Sequence, residues 1–296
     1  MGGEIRVSVV VAVEQSAENL PAILHSLAPE KYPSLEVLIC RAAGDYAPLP
    51  PIGERVNVRT LQGETGARIP DLWKDGILAA EGPLVATLTA HCIPEPEWVK
   101  HVLELDMEDG TVGVGGSIRN DPDADGPSWA IFAQRYIRYA PPQQSREVDD
   151  IAADNAVYMR SAILEHGELL DQGFWEPSFH ALFKQKGLRL RIDPQLLVTH
   201  YNRYPVGRFF SQRVTHGSEF GYTRAKSAGL AKRLLFMCAS PVLPIVFLSK
   251  ILASLRRHPE RHIRIWVALP WLLLFLAGWG IGEAKGYIAA VSGGDP

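Results

Sequence analysis

GPLVATLTAHCIPEPEW, residues 82–98, is the stretch on which the reading of the chain depends. Leu84 to Leu88 form a short apolar run behind Gly82-Pro83, the pattern of a buried strand. Thr89, Ala90, His91 and Cys92 make a short tip, and Pro94 and Pro96 then introduce a helix carrying Trp98, Val99 and Val102. A buried strand with a polar tip and a proline-set turn is how α/β sheets present ligand-binding groups at their carboxyl edge.

The flanking sequence supports an α/β sheet. Val7 to Val13 is nearly all β-branched, as in a doubly buried strand. Leu20, Ile23, Leu24 and Leu27 then recur at helical spacing, with Ser16 or Asn19 as candidate N-caps, and Leu35 to Cys40 is a second buried strand. This βαβ opening predicts parallel pairing. A third strand is expected at Val56 to Leu61 and a helix over Ile69 to Ala80, where Gly76 permits close packing. Beyond Trp98, a strand at Thr111 to Val114 closes on Gly115-Gly116, and Ser128 to Tyr139 is amphipathic and aromatic. Pro141 to Asp150 is a polar loop, and Asp154 to Met159 the start of a strand–helix pair. Leu188 to Ile192 and Leu196 to His200 read as two short strands.

A chain of 296 residues holds one large α/β domain with an appendage. The formal charge of −3 gives no reason to expect a nucleic-acid partner. Cys40, Cys92 and Cys238 are odd in number and far apart, which suits a reducing compartment. The opening MGGEIRVSVVVAV has no long apolar core, so no signal peptide is expected.

Taken in order, VSVVVAV, LEVLIC, GPLVATLTAHCIPEPEW, VGVGGSIRN, DNAVYMRSAILEHGELLD, FWEPSFHALFKQKGLRL and LLVTH resemble the successive segments of a family 2 glycosyltransferase. The closing GWGIGEAKGYI is similar to the membrane tail of bacterial members. The resemblance implies a GT-A fold, an α/β architecture with a mostly parallel sheet flanked by helices, over residues 1–230. It also implies a membrane region over 231–296. The expected reaction is inverting transfer from a nucleotide-sugar donor to a lipid-linked or cell-envelope acceptor, with the catalytic domain at the cytoplasmic face.

The resemblance places donor-binding groups at Ala12, Val13, Glu14, Arg41, Thr89, Ala90 and His91. Asn155 and Trp175 fall on the acceptor side, and Glu176 and His180, on the catalytic helix, are the candidate catalytic residues. Three departures stand out. Arg41 replaces the family's nucleobase-contacting Asp, Pro177 replaces the usual catalytic Asp, and Thr89 to His91 contain no metal-binding acid. Glu176 is then the nearest carboxylate able to act as a general base.

Growing charge on the leaving diphosphate must be neutralised. His91 and His200 can hold a borderline metal as neutral imidazoles, whereas a hard Mg²⁺ site is disfavoured without carboxylates. Alternatively His200 with Arg203, Arg208 or Arg213 meets the phosphates directly, guanidinium groups suiting phosphate oxygens. A divalent cofactor is therefore left open. The missing acids also fit a different role, that of an inactive binding or scaffold subunit in an envelope-polysaccharide assembly.

Two apolar runs close the chain, about 234–255 and 265–288. The first contains Pro241, Pro244 and Lys250, and an arginine-rich loop separates it from the second. Positive-inside bias favours a first segment that bends or lies at the interface and a second that spans.

Overall fold

The computed structural model describes residues 4–14, 17–44, 57–201, 205–226, 229–257 and 264–292. The chain runs β1 (Val7–Val13), α1 (Leu20–Leu27), β2 (Leu35–Arg41), β3 (Val58–Gln62), α2 (Ile69–Ala79), β4 (Leu84–Thr89), β5 (Cys92–Pro94), α3 (Trp98–Leu103) and β6 (Thr111–Asn120). It continues through α4 (Gly126–Tyr136), β7 (Arg146–Val148), β8 (Asn155–Met159), α5 (Arg160–Leu164), α6 (Glu176–Gln185) and β9 (Arg189–His200). Four helices follow: α7 (Val206–Lys226), α8 (Leu230–Ala239), α9 (Leu243–Arg257) and α10 (Ile265–Ser292). Two units form, one from residues 1–121 with 139–201, the other from 122–138 with 202–296.

In the first unit, nine strands among the described residues make one sheet in the order β3-β2-β1-β4-β8-β6-β9-β5, with β7 added on β9. β1, β2, β3 and β4 pair in parallel, as the βαβ opening predicts. β8 runs antiparallel to both β4 and β6, so the sheet is mixed, with parallel pairing among β1 to β4 on one side of β8 and between β6 and β9 on the other. Every residue of β1 and β2 is buried, including Glu36 and Arg41 of β2, as the apolar run of β1 and the apolar Leu35 and Val37 to Cys40 require of central strands.

Glycines set two of the close approaches. A Cβ on Gly76 would meet Val10 and, at 2.9 Å, the Cys40 sulfur, so α2 lies directly against β1 and β2. Gly115 and Gly116 do not close β6. The strand continues through them to Asn120, because a side chain on Gly116 would strike the Leu196 carbonyl and the Asn155 amide. Likewise the two short strands expected near the end are one, β9, joined across a register shift opposite Gly116 and Ser117.

An aromatic core fills the face of the sheet that carries α2 and α6. Phe174 packs edge-on against Trp73 and Tyr158, and at 4.9 Å from Phe179, which leads to Phe183. Because strand side chains alternate, Asn155 projects to the opposite face, where α3 supplies Trp98.

In the second unit, α7 and α10 lie backbone against backbone. Cβ atoms on Gly217 and Gly221 of α7, or on Gly282 and Gly286 of α10, would fall on main-chain atoms of the other helix. Small residues at four-residue spacing give two helices this proximity. The apolar run at 234–255 is not continuous: α8 stops at Ala239, a short 3-10 turn spans Ser240–Val242, and α9 begins at Leu243. Pro241 and Pro244, which lack an amide hydrogen, stand at that break. Among the described residues, α10 is the one helix long and apolar enough to cross a membrane. Its buried Glu283 accepts hydrogen bonds from Trp279 Nε1 (3.0 Å) and the Tyr287 hydroxyl (2.5 Å).

Candidate active site

The parallel registers bring the expected donor-binding residues to one edge. Ala12 is level with Cys40 on β2 and with Thr89 on β4, and Val13 is level with Arg41. The tip after β4 is fastened there: Ala90 donates its amide to the Ala12 carbonyl at 3.0 Å, and Tyr201 donates to the His91 carbonyl at 2.7 Å. Asn19 does not cap α1 with its side chain. It donates instead to the Ala90 carbonyl at 2.9 Å. Glu14 follows directly at the end of β1, and Arg41 is buried.

Thr89 donates its hydroxyl to Asp154 Oδ1 at 3.0 Å, both groups being buried. The tip of β4 therefore does contact a carboxylate, delivered by the residue before β8. His91 and His200 bring their rings to 6.2 Å between centroids, and His200 Nδ1 lies 3.4 Å from Asn120 Oδ1. A divalent ion needs several oxygen ligands, or a tetrahedral N/S set. Among the described residues no group of three or more His, Cys, Asp and Glu side chains is arranged to hold one. The donor set does not fit a metal of the kind the family's acidic tip would bind.

Asn155 is fully engaged by protein. Its Oδ1 accepts from Trp98 Nε1 at 2.9 Å, and its Nδ2 donates to the carbonyls of Ser117 (2.9 Å) and Leu196 (2.8 Å). The side chain ties β8 to β6, β9 and α3 at once.

Glu176 is the first residue of α6, half-buried, with Trp175 at the N-cap. The turn before it is pinned: Phe174 donates to the Pro70 carbonyl at 2.8 Å, and Trp175 Nε1 donates to the Gln172 carbonyl at 2.8 Å. The Arg68 guanidinium, at the start of α2, lies 5.3 Å from the centroid of the Trp175 ring. One turn along α6, His180 is only 3 % exposed and spans two partners. Its Nδ1 is 2.6 Å from Asp150 Oδ1 and its Nε2 3.0 Å from the Tyr158 hydroxyl. Burial pushes the Tyr158 phenol well above its ordinary value, and the charges of Glu176 and Asp150 push it further, so it stays protonated.

The site thus groups Ala12, Val13, Glu14, Arg41, Thr89, Ala90, His91 and His200 at the sheet edge. Trp175 and Glu176 stand at the head of α6, and His180 lies in the interior below them. Arg208 is exposed on the first turn of α7 in the other unit, and Arg203 lies outside the described residues. Sequence reasoning missed Asn19, Arg68, Asp150, Asp154 and Tyr158. Their roles come from pairing across 22 to 107 positions, and only Asp154, in the quoted segment DNAVYM, carried a hint.

Four parallel strands opening on a polar carboxyl edge, inside a mixed sheet flanked by helices, define an α/β domain that presents a ligand site at that edge. The chain belongs to Glycosyl transferase family 2, whose profile matches residues 8–167. No curated protein sequence matches it. Among solved structures, it is similar to the mannosyltransferase PcManGT from Pyrobaculum calidifontis in complex with GDP-Man and Mn²⁺. The identity is 12 % and the TM-score 0.54, over 95 % of this chain and 87 % of that one. Another similar structure is S. aureus TarS 1-349 in complex with UDP-GlcNAc, at 13 % identity and a TM-score of 0.49, over 98 % and 93 % of the two chains. At such identities the likeness is one of fold, and the fold is GT-A.

Proposed function

We propose that this protein transfers a sugar, with inversion, from a nucleoside-diphosphate donor to an acceptor hydroxyl. The observation that carries the reading is the register: Ala12, Val13, Arg41 and Thr89 share the carboxyl edge of three adjacent parallel strands in a family 2 chain. The donor's nucleoside lies along the ends of β1 and β2, and its diphosphate over Thr89 to His91. Glu176 removes the acceptor proton as the acceptor oxygen bonds to the anomeric carbon, and the bond from that carbon to the diphosphate breaks in the same displacement. Trp175, held by its indole hydrogen bond, forms the acceptor-side wall.

His200, Arg203 and Arg208 supply the counter-charge for the leaving diphosphate, in place of a metal. His180 is a positioning residue, since both of its ring nitrogens are committed to Asp150 and Tyr158. It fixes the helix that carries Glu176. α10 and the apolar sides of its neighbours attach the protein to the cytoplasmic face of a membrane, where the acceptor is lipid-linked or part of the cell envelope.

A panel of UDP-, GDP- and TDP-sugars tests this through release of free nucleoside diphosphate. One donor is expected to turn over, without loss in EDTA. Glu176→Gln is expected to slow release about 10²–10⁴-fold while donor binding is kept. Equal rates in wild type and Glu176→Gln would refute the base assignment, and activity lost in EDTA and restored by Mn²⁺ would refute the metal-free step. The acid-free tip at Thr89 to His91 favours a second reading, a sugar-nucleotide-binding subunit without turnover. Donor binding with no release by any panel member would select it.

A further inference from the structure

The second unit contains a cavity of about 450 Å³ that the transfer reaction leaves unused. Arg135, Arg138, Arg213 and Lys250 line it, and no Asp or Glu is among the lining residues described. Most of the remaining wall is apolar, with Phe247, Ile251 and Trp279, and Gln134 and Ser254 are its polar members. Arg213 is held in place by stacking, 4.8 Å from the Phe209 ring centroid and 5.7 Å from that of Trp279. Lys250 lies 5.7 Å from the Phe247 ring. Four cations lining one partly apolar cavity suit a ligand with a compact anion at one end and hydrocarbon at the other.

The surroundings carry the same signature. α9 and α10, which wall the cavity, leave Ile245, Leu273 and Ile288 exposed, and Trp266 is 84 % exposed. Residues 202–296 contain thirteen Lys and Arg against four Asp and Glu, whereas residues 1–201 contain seventeen against twenty-nine. Positive charge is thus concentrated in the part of the chain that also exposes apolar side chains, which is complementary to an anionic lipid surface.

We propose that this cavity binds a phosphate-bearing amphiphile, its headgroup among Arg135, Arg138, Arg213 and Lys250 and its chain along Phe247 and Ile251. Two sources share that chemistry, a polyprenyl phosphate carrier and an anionic membrane phospholipid. The inference deepens the lipid-acceptor part of the proposed function, but its test uses no sugar nucleotide. A failed titration therefore leaves the transfer reading standing, and a failed donor panel leaves this one.

The full chain in neutral maltoside detergent is titrated calorimetrically with dodecyl phosphate, and protein-free micelles are subtracted. Saturable binding is expected, with inorganic phosphate at least about tenfold weaker. The double variant Arg138→Gln/Lys250→Gln is expected to weaken dodecyl phosphate about tenfold or more. Ser254→Phe, which fills the cavity from its lining and removes no charge, is expected to do the same, and both variants should melt as the wild type does. Competition by farnesyl phosphate alone identifies the carrier, and competition by phosphatidylglycerol as well identifies membrane lipid. No competition by either, equal affinity for inorganic phosphate, or unchanged affinity in both variants overturns the proposal.

Discussion

Replacing Asn155 separates a group that holds the sheet together from one that touches the acceptor. The side chain has no exposed surface and makes three hydrogen bonds of 2.8–2.9 Å, to Trp98, Ser117 and Leu196. Asn155→Ala leaves the Trp98 indole N–H without its acceptor, at about 1–3 kcal/mol, and removes one donor from each of two buried carbonyls at about 1 kcal/mol apiece. The sum is about 4 kcal/mol, which at about 2–4 °C per kcal/mol for a domain of this size lowers Tm by about 8–16 °C. Scanning calorimetry of wild type and variant reads this directly. Asn155→Asp sharpens the test. One carboxylate oxygen still accepts from Trp98, but the other then faces two carbonyl oxygens, which disfavours the charged form. The folded state of that variant binds a proton more readily than the unfolded state, so its stability rises as pH falls from 7 toward 5. Asn155→Ala shows no such recovery. A fall in Tm below about 3 °C in Asn155→Ala, with the acceptor KM raised instead, would refute the bracing role.

Glu36 sets an acid limit on stability. Burial pushes its carboxyl up, but the hydrogen bonds from Ser8 (2.5 Å), the Glu81 amide (2.6 Å) and Arg59 (2.8 Å) outweigh it and hold it below the usual carboxylate range. The folded state then binds fewer protons than the unfolded state. Its contribution is complete above the unfolded pKa and disappears as pH falls through the folded one. Glu36→Gln should accordingly flatten the acid side of a Tm-against-pH curve, and an unchanged slope would exclude the effect. Thiol chemistry offers a further check. Burial, with the charge of Asp75 adding to it, pushes the Cys40 thiol up to about 12. Cys40 and Cys92 are buried, whereas Cys238 is exposed. Iodoacetamide at pH 8 should label Cys238 alone, as read by peptide mass spectrometry, because the thiolate is the reacting form. Rapid labelling of Cys40 would contradict the close seat of α2 on β2.

What the sequence disclosed and what it withheld divide along one physical line. Strands β1, β2 and β4 were legible because each is a mostly apolar run between turn residues, and parallel pairing followed from the short βαβ spacing. Gly76 was legible for the same local reason. Gly115-Gly116 misled, because glycine signals a turn when read locally, yet here it makes room for Leu196 and Asn155 from distant strands. The acid at the tip of β4 was hidden in the same way. A scan of residues 89–91 finds no carboxylate, and only the antiparallel pairing of Leu88 with Asn155 sets Asp154 beside the Thr89 hydroxyl. Pairing of that kind can return a charge to a strand tip whose own sequence has lost it, so a degenerate motif is weak evidence against function until the neighbouring strand is known. A single carboxylate already bonded to a hydroxyl still does not make a metal cage. In the proposed reaction the burden of the diphosphate falls on imidazole and guanidinium, and the EDTA experiment bears on that point more directly than any single substitution.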